Sequence, residues 1–193
     1  MRALFYPTST GFDVITLITY LRRSLNRLTL SIYNSYIPFF TDVDRGSILS
    51  LIQSNFERNS AALQANYMVD EIDFFTTDWE PKLKSDLKDV NLILCADVVY
   101  NADITRAFFR TLNNLLKLTK EDVTIIISLE KRFWTNLDGE VIAPSYQIFL
   151  DCLQEFKESN TNALIEEIEV NFPHIFSQYY DRVNSLVMWK IKN

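Results

Sequence analysis

Glycine is nearly missing from this sequence: three residues in 193, against an average of about 7%. Phosphate-cradling loops and dinucleotide fingerprints need several glycines within a few positions, so that the backbone can approach the ligand closely. Gly11, Gly46 and Gly139 are too dispersed for either. Histidine occurs once, as His174 beside Pro173, and reads as a surface or loop residue. With no C-x-x-C and no His pair, zinc has no ligand set. A Ser-His-Asp site would have to use His174, and no G-x-S-x-G is present. The two cysteines, Cys95 and Cys152, sit in separate apolar runs. They are too few for a disulfide scaffold, and free thiols suit a reducing compartment. Basic residues are outnumbered, 19 Lys and Arg against 25 Asp and Glu, for a net charge of −6. Such a chain lacks the positive field that would gather nucleic acid or anionic lipid. No apolar run approaches the roughly 20 residues that span a bilayer. Residues 1–10 show no apolar core followed by a small-residue cleavage pattern, so a secretory signal is not expected.

What is present is apolar and aromatic: 48% hydrophobic residues, with 14 Phe and 9 Tyr. The length suits one domain, or one domain with a short appendage. Residues 11–25 carry Val14, Ile15, Ile18, Leu21 and Leu25 on one helical face, although their β-branched content also suits a strand. Residues 28–33 could form a short strand. From Ile37 the pattern sharpens. Residues 37–41 read as a strand ending at Asp42, with Pro38 near its start. Residues 47–60 read as a helix facing inward through Ile48, Ile52 and Phe56, and 71–76 as a strand running on to Asp78-Trp79. Residues 90–96 (VNLILCA) are almost continuously apolar, as in a strand covered on both faces.

Residues 104–118 give the clearest helical spacing, with Asp103 placed to cap it. Residues 123–129 repeat the buried-strand pattern and lead into Glu130-Lys131-Arg132; 144–156 form a helix opened by Pro144. Residues 163–170 and 186–191 read as a late antiparallel pair. Regular alternation of strand and helix means right-handed crossovers and a mostly parallel α/β sheet.

Ligands of such sheets bind at the carboxyl ends of the strands. Three expected strand ends carry an acid there: Asp42, Asp78 and Asp97. Carboxylates in these positions can accept from ribose hydroxyls or an adenine amino group; each could equally start a turn or cap the next helix. Trp79 could stack on a purine or fill the core. Tyr100 could shape a narrow channel or pack with its hydroxyl satisfied.

The run Asp97-Val98-Val99-Tyr100 carries a resemblance. Together with Phe40-Thr41-Asp42-Val43, Thr77-Asp78-Trp79, Ser128-Leu129-Glu130-Lys131-Arg132 and the closing segment 175–191, it resembles family 16 of the seven-β-strand protein methyltransferases, whose motif after strand 4 is Asp-x-x-Tyr or Asp-x-x-Phe. The resemblance covers about residues 37–193. It implies a Rossmann-like sheet, mostly parallel with an antiparallel C-terminal strand. It also implies an S-adenosylmethionine-dependent enzyme that methylates a lysine side chain of a protein substrate, without a metal. By the family pattern Asp42 would bind the ribose, Asp78 the adenine amino group and Trp79 the adenine ring. Asp97 and Tyr100 would border the methionine end and the lysine channel, as catalytic residues. An intracellular monomer, nuclear or cytoplasmic, without nucleic-acid or membrane partners, is the corresponding expectation.

One stretch departs from that pattern. The family's Gly-rich loop after strand 1 has only Gly11 to offer, in Ser9-Thr10-Gly11-Phe12, and no segment reads as strand 1. Residues 1–36 therefore read as a degenerate or altered N-terminal segment ahead of a methyltransferase domain at 37–193. A catalytically inactive remnant serving as a protein-interaction module is the alternative.

Overall fold

Residues 2–6, 37–58, 67–119, 122–170 and 185–193 are described by a computed structural model of the protein. In chain order they form β1 (Arg2–Tyr6), β2 (Ile37–Asp42), α1 (Ile48–Arg58), β3 (Met68–Glu71), α2 (Pro81–Leu87), β4 (Val90–Ala96), α3 (Ala102–Leu118), β5 (Thr124–Glu130), the two-residue strands β6 (Trp134–Thr135) and β7 (Val141–Ile142), α4 (Pro144–Ser159), β8 (Leu164–Ile168) and β9 (Leu186–Lys192). Seven strands make one sheet in the order β3-β2-β1-β4-β5-β9-β8. Neighbours from β3 through β5 pair in parallel; β9 lies antiparallel to both β5 and β8 and is the one reversed strand of this sheet. This is the mostly parallel α/β sheet with an antiparallel C-terminal strand that the sequence implies.

The near-continuous apolar runs are explained by burial on two faces. Along β4, Ile93 and Cys95 join one core cluster while Leu94 and Ala96 join the other; along β5, Ile125 and Ile127 alternate with Ile126 in the same way. Helices α3 and α4 cover the first face, where Phe109 packs on Phe149 and Phe156 at ring-centroid distances of 5.6 and 5.8 Å. Helix α1 covers the second through Phe56, whose ring lies 4.3 Å from that of Phe40. The buried stripe of α3 also takes in Thr105, Phe109 and Thr111, because the helix packs against both the sheet and α4.

Several expectations change. The sequence offered no first strand, yet Arg2–Tyr6 lies inside the sheet, parallel to β2 on one side and β4 on the other. A five-residue strand flanked on both sides takes its pairing from its neighbours, so local pattern carries little of the signal. The third strand is Met68–Glu71, not 71–76; the chain turns at Phe74 and Phe75, and Asp78 lies in the loop before α2. Helix α3 is capped by Asn101, whose side chain accepts from Ile104 N at 3.0 Å, and Asp103 sits inside its first turn. The expected elements at 11–25 and 28–33, His174 and most of the segment 175–191 before β9 fall outside the described residues.

Candidate functional site

The strand order reverses between β1 and β4, and the crevice beyond the carboxyl ends at such a reversal is where α/β sheets bind ligands. Phe40 of β2 is level with Phe5 of β1, and Phe5 with Leu94 of β4. Asp42 and Asp97, two and three residues further on, therefore end β2 and follow β4 at nearly the same height with one strand between them. At the usual spacing of parallel strands their backbones are about 10 Å apart, a nucleoside-sized gap.

Asp42 is half-buried and accepts from Val43 N at 2.7 Å. Burial raises its pKa, opposed more weakly by the Val43 hydrogen bond. A carboxylate in that condition favours additional donors, because each one offsets lost hydration. The following turn is fixed locally. Asp44 accepts from Leu49 N at 3.3 Å at the start of α1, and its own N–H donates to Glu71 on β3 at 3.0 Å. Gly46, at φ 65°, reverses the chain into the helix.

Asp97 takes φ 50°, left-handed backbone that Asp tolerates better than most side chains. Its N–H donates to Ser128 O of β5 at 2.8 Å. Its carboxylate, 16% exposed, receives Arg132 Nη2 at 3.2 and 3.1 Å on its two oxygens. The same guanidinium lies 5.1 Å from the centre of the Tyr100 ring, and Ser145 Oγ donates to Tyr100 O at 2.9 Å, tying that loop to α4. Asp97, Tyr100 and Arg132 thus form one cluster in which a cation sits between a carboxylate and an aromatic face. In the sequence Arg132 stands just after a buried strand, within Glu130-Lys131-Arg132, a charged cluster that could be a solvated strand end or could meet a substrate.

Asp78 lies in the loop before α2 and points outward. Its side chain is 95% exposed and pairs with Lys84 Nζ at 2.9 Å, a hydrogen bond and charge that lower its pKa. Trp79 is 5% exposed and belongs to the core cluster that includes Ile72, Leu83 and Val98. Its Nε1–H is buried without an acceptor among the described residues. No group of three or more metal-ligating side chains occurs among the described residues. Cys95 and Cys152 are buried free thiols, with pKa values raised by that burial.

The profile of a family described as lysine methyltransferase, methyltransferase family 16, matches residues 33–165, which run from β2 into the start of β8. The chain belongs to the lysine methyltransferase family. Among members of known name, human methyltransferase-like protein 22 is 32% identical over 171 residues, 79% of this chain and 42% of that protein. The mouse protein of the same name is 34% identical over 118 residues, 58% of this chain and 30% of that protein. The chain therefore spans less than half the length of these family relatives. Of solved structures, an O-methyltransferase from Bacillus cereus in complex with SAH superposes with a TM-score of 0.53 at 14% identity, over 99% of this chain and 72% of that one. The Rossmann-like methyltransferase fold is common to both.

Proposed function

We propose that the chain is an S-adenosylmethionine-dependent methyltransferase acting on a lysine side chain of a protein substrate, its methyltransferase domain built from residues 37–193 together with the strand Arg2–Tyr6. The observation that carries the reading is the placement of Asp42 and Asp97 on either side of the switch point in a member of this family. S-adenosylmethionine would supply a methyl group already activated on a sulfonium, so the protein's task is chiefly alignment. Alignment alone is worth about 7–11 kcal/mol in well-oriented systems. Residues of this chain fit such a group: a half-buried carboxylate at the end of β2 suits ribose hydroxyl donors, and the orphaned Nε1–H of Trp79 suits an acceptor such as a ring nitrogen. Asp97 and Tyr100 would receive the methionine end and the incoming lysine, since this pair already accommodates the guanidinium of Arg132. A role for Asp78 toward adenine rests on the family resemblance, and would require its carboxylate to leave Lys84.

A non-catalytic interaction module is the second reading, favoured by the outward-facing Asp78. Titration calorimetry with S-adenosylmethionine separates the two. Saturable binding, weakened by Asp42→Ala, together with lysine methylation abolished by Asp97→Ala, is the expected result. A folded chain that releases no heat supports the second reading. Unchanged behaviour of both variants would overturn the site assignment.

A further inference from the structure

Immediately after Arg132 the chain leaves the sheet and forms a ribbon, β6 paired antiparallel with β7, before returning at Pro144. Every residue from Phe133 to Ile142 is exposed except Asn136. Five of these ten are large apolar side chains: Phe133, Trp134 (68% exposed), Leu137 (fully exposed), Val141 and Ile142. Trp134 faces Ile142 across the ribbon and Thr135 faces Val141, so apolar groups project on both of its faces. Isolated two-stranded ribbons are marginal in water, and a concentration of exposed apolar surface marks a contact site.

The turn is held rigidly by its own polar groups. Asn136 N–H donates to Glu140 O at 2.9 Å, and Gly139, at φ 82°, donates to Asn136 O at 3.1 Å. The Asn136 side-chain oxygen accepts from Asp138 N and Glu140 N at 3.0 and 2.8 Å, and its Nδ2 donates to Glu140 at 3.0 Å. Leu137 is thereby presented at the tip at little entropic cost on binding.

Charge identifies the occupant. Residues 133–142 carry two acids, Asp138 and Glu140, and no base. The two bases that precede them are turned onto the protein's own rings: Lys131 Nζ lies 4.5 Å from the centre of the Tyr146 ring, and Arg132 engages Tyr100 and Asp97. An apolar, net-negative ribbon complements a segment that alternates apolar side chains with Lys or Arg. We infer that the 133–142 ribbon docks a basic, apolar segment of a partner protein beside the Asp97–Tyr100 cluster. The inference rests on the proposed function, deepening it by giving the sequence character expected around the target lysine.

The test uses fluorescence anisotropy with two labelled peptides, one composed of Leu, Ala and Lys, the other with Glu replacing each Lys. The basic peptide is expected to bind at least about tenfold more tightly than the acidic one, with an affinity that falls as salt rises. Trp134→Ser with Leu137→Ser, both solvent-exposed, should weaken that binding about tenfold; Asp138→Lys should weaken it by a smaller factor. Equal binding of both peptides, or binding untouched by the double substitution, overturns the inference. So does concentration-dependent dimerisation in the ultracentrifuge that the double substitution removes, which would give the ribbon to a second copy of the chain. Calorimetry with S-adenosylmethionine on the same samples keeps the two ideas apart. Cofactor binding without selective peptide binding sinks the ribbon alone; peptide binding without cofactor binding sinks the enzymatic reading alone.

Discussion

Asp42 illustrates how a half-buried carboxylate destabilises its own fold. Burial raises its pKa, so the folded state prefers the neutral carboxyl. The stability linked to that preference is fully present below the unfolded pKa and is lost as pH rises through the folded one. Asp42→Asn, which keeps an acceptor for Val43 N, should raise the melting temperature at pH 7, and the gain should vanish below about pH 4; thermal unfolding across pH checks this. Asp97 holds a second local cost in its left-handed backbone. Asp97→Gly and Asp97→Ala both lose the Arg132 contact, so their difference isolates the backbone term, and the glycine variant should be the more stable by about 1 kcal/mol in urea denaturation. Arg132→Ala leaves the mostly buried Asp97 carboxylate without its guanidinium. It should cost about 1–2 kcal/mol by the same measurement, discounted because the arginine is itself partly exposed.

At the scale of elements, helix boundaries follow side-chain chemistry that spacing alone leaves ambiguous. Asn101 and Asp103 are both reasonable caps for α3, and only the extended backbone of Asn101, with its bond to Ile104 N, decides between them. Asn101→Ala should destabilise the protein by about 1 kcal/mol. Asp103→Ala, which removes only a first-turn charge paired loosely with Arg106 at 3.9 Å, should cost a few tenths of a kcal/mol. Chemical denaturation of the two variants side by side distinguishes them. The same reasoning explains the misplaced third strand. Residues 71–76 contain Ile72, Phe74 and Phe75, but Asp73 accepts from Phe75 N at 2.9 Å and its carbonyl from Thr76 N at 3.0 Å, which closes a turn where a strand was expected.

For the whole molecule, the sheet is held by two cores that meet through alternating side chains of β4 and β5. Phe108 is fully buried in the larger one, against Phe74 and Phe109 at 5.4 Å each. Phe108→Ala should cost about 3–5 kcal/mol, a large part of the roughly 5–15 kcal/mol that holds a domain folded. Loss of the near-ultraviolet circular dichroism signal at modest temperature is the expected readout. If the proposed cofactor binds, its addition should recover part of that loss by mass action.

The sequence determined the strands at 37–42, 90–96 and 124–130 and the helices after them, because burial on two faces and on one stripe leaves distinct periodicities in the residues themselves. It also placed acids at the ends of β2 and β4, since polar groups interrupting apolar runs are visible without coordinates. Tertiary structure alone decided that Arg2–Tyr6 is an interior strand between β2 and β4, that Asp42 and Asp97 stand at the carboxyl ends of strands separated by one strand while Asp78 faces solvent, and that Arg132 lies between Asp97 and Tyr100. Those relations join residues far apart in the chain, and pairing across a sheet or between loops depends on which neighbours arrive, a matter on which local pattern is silent.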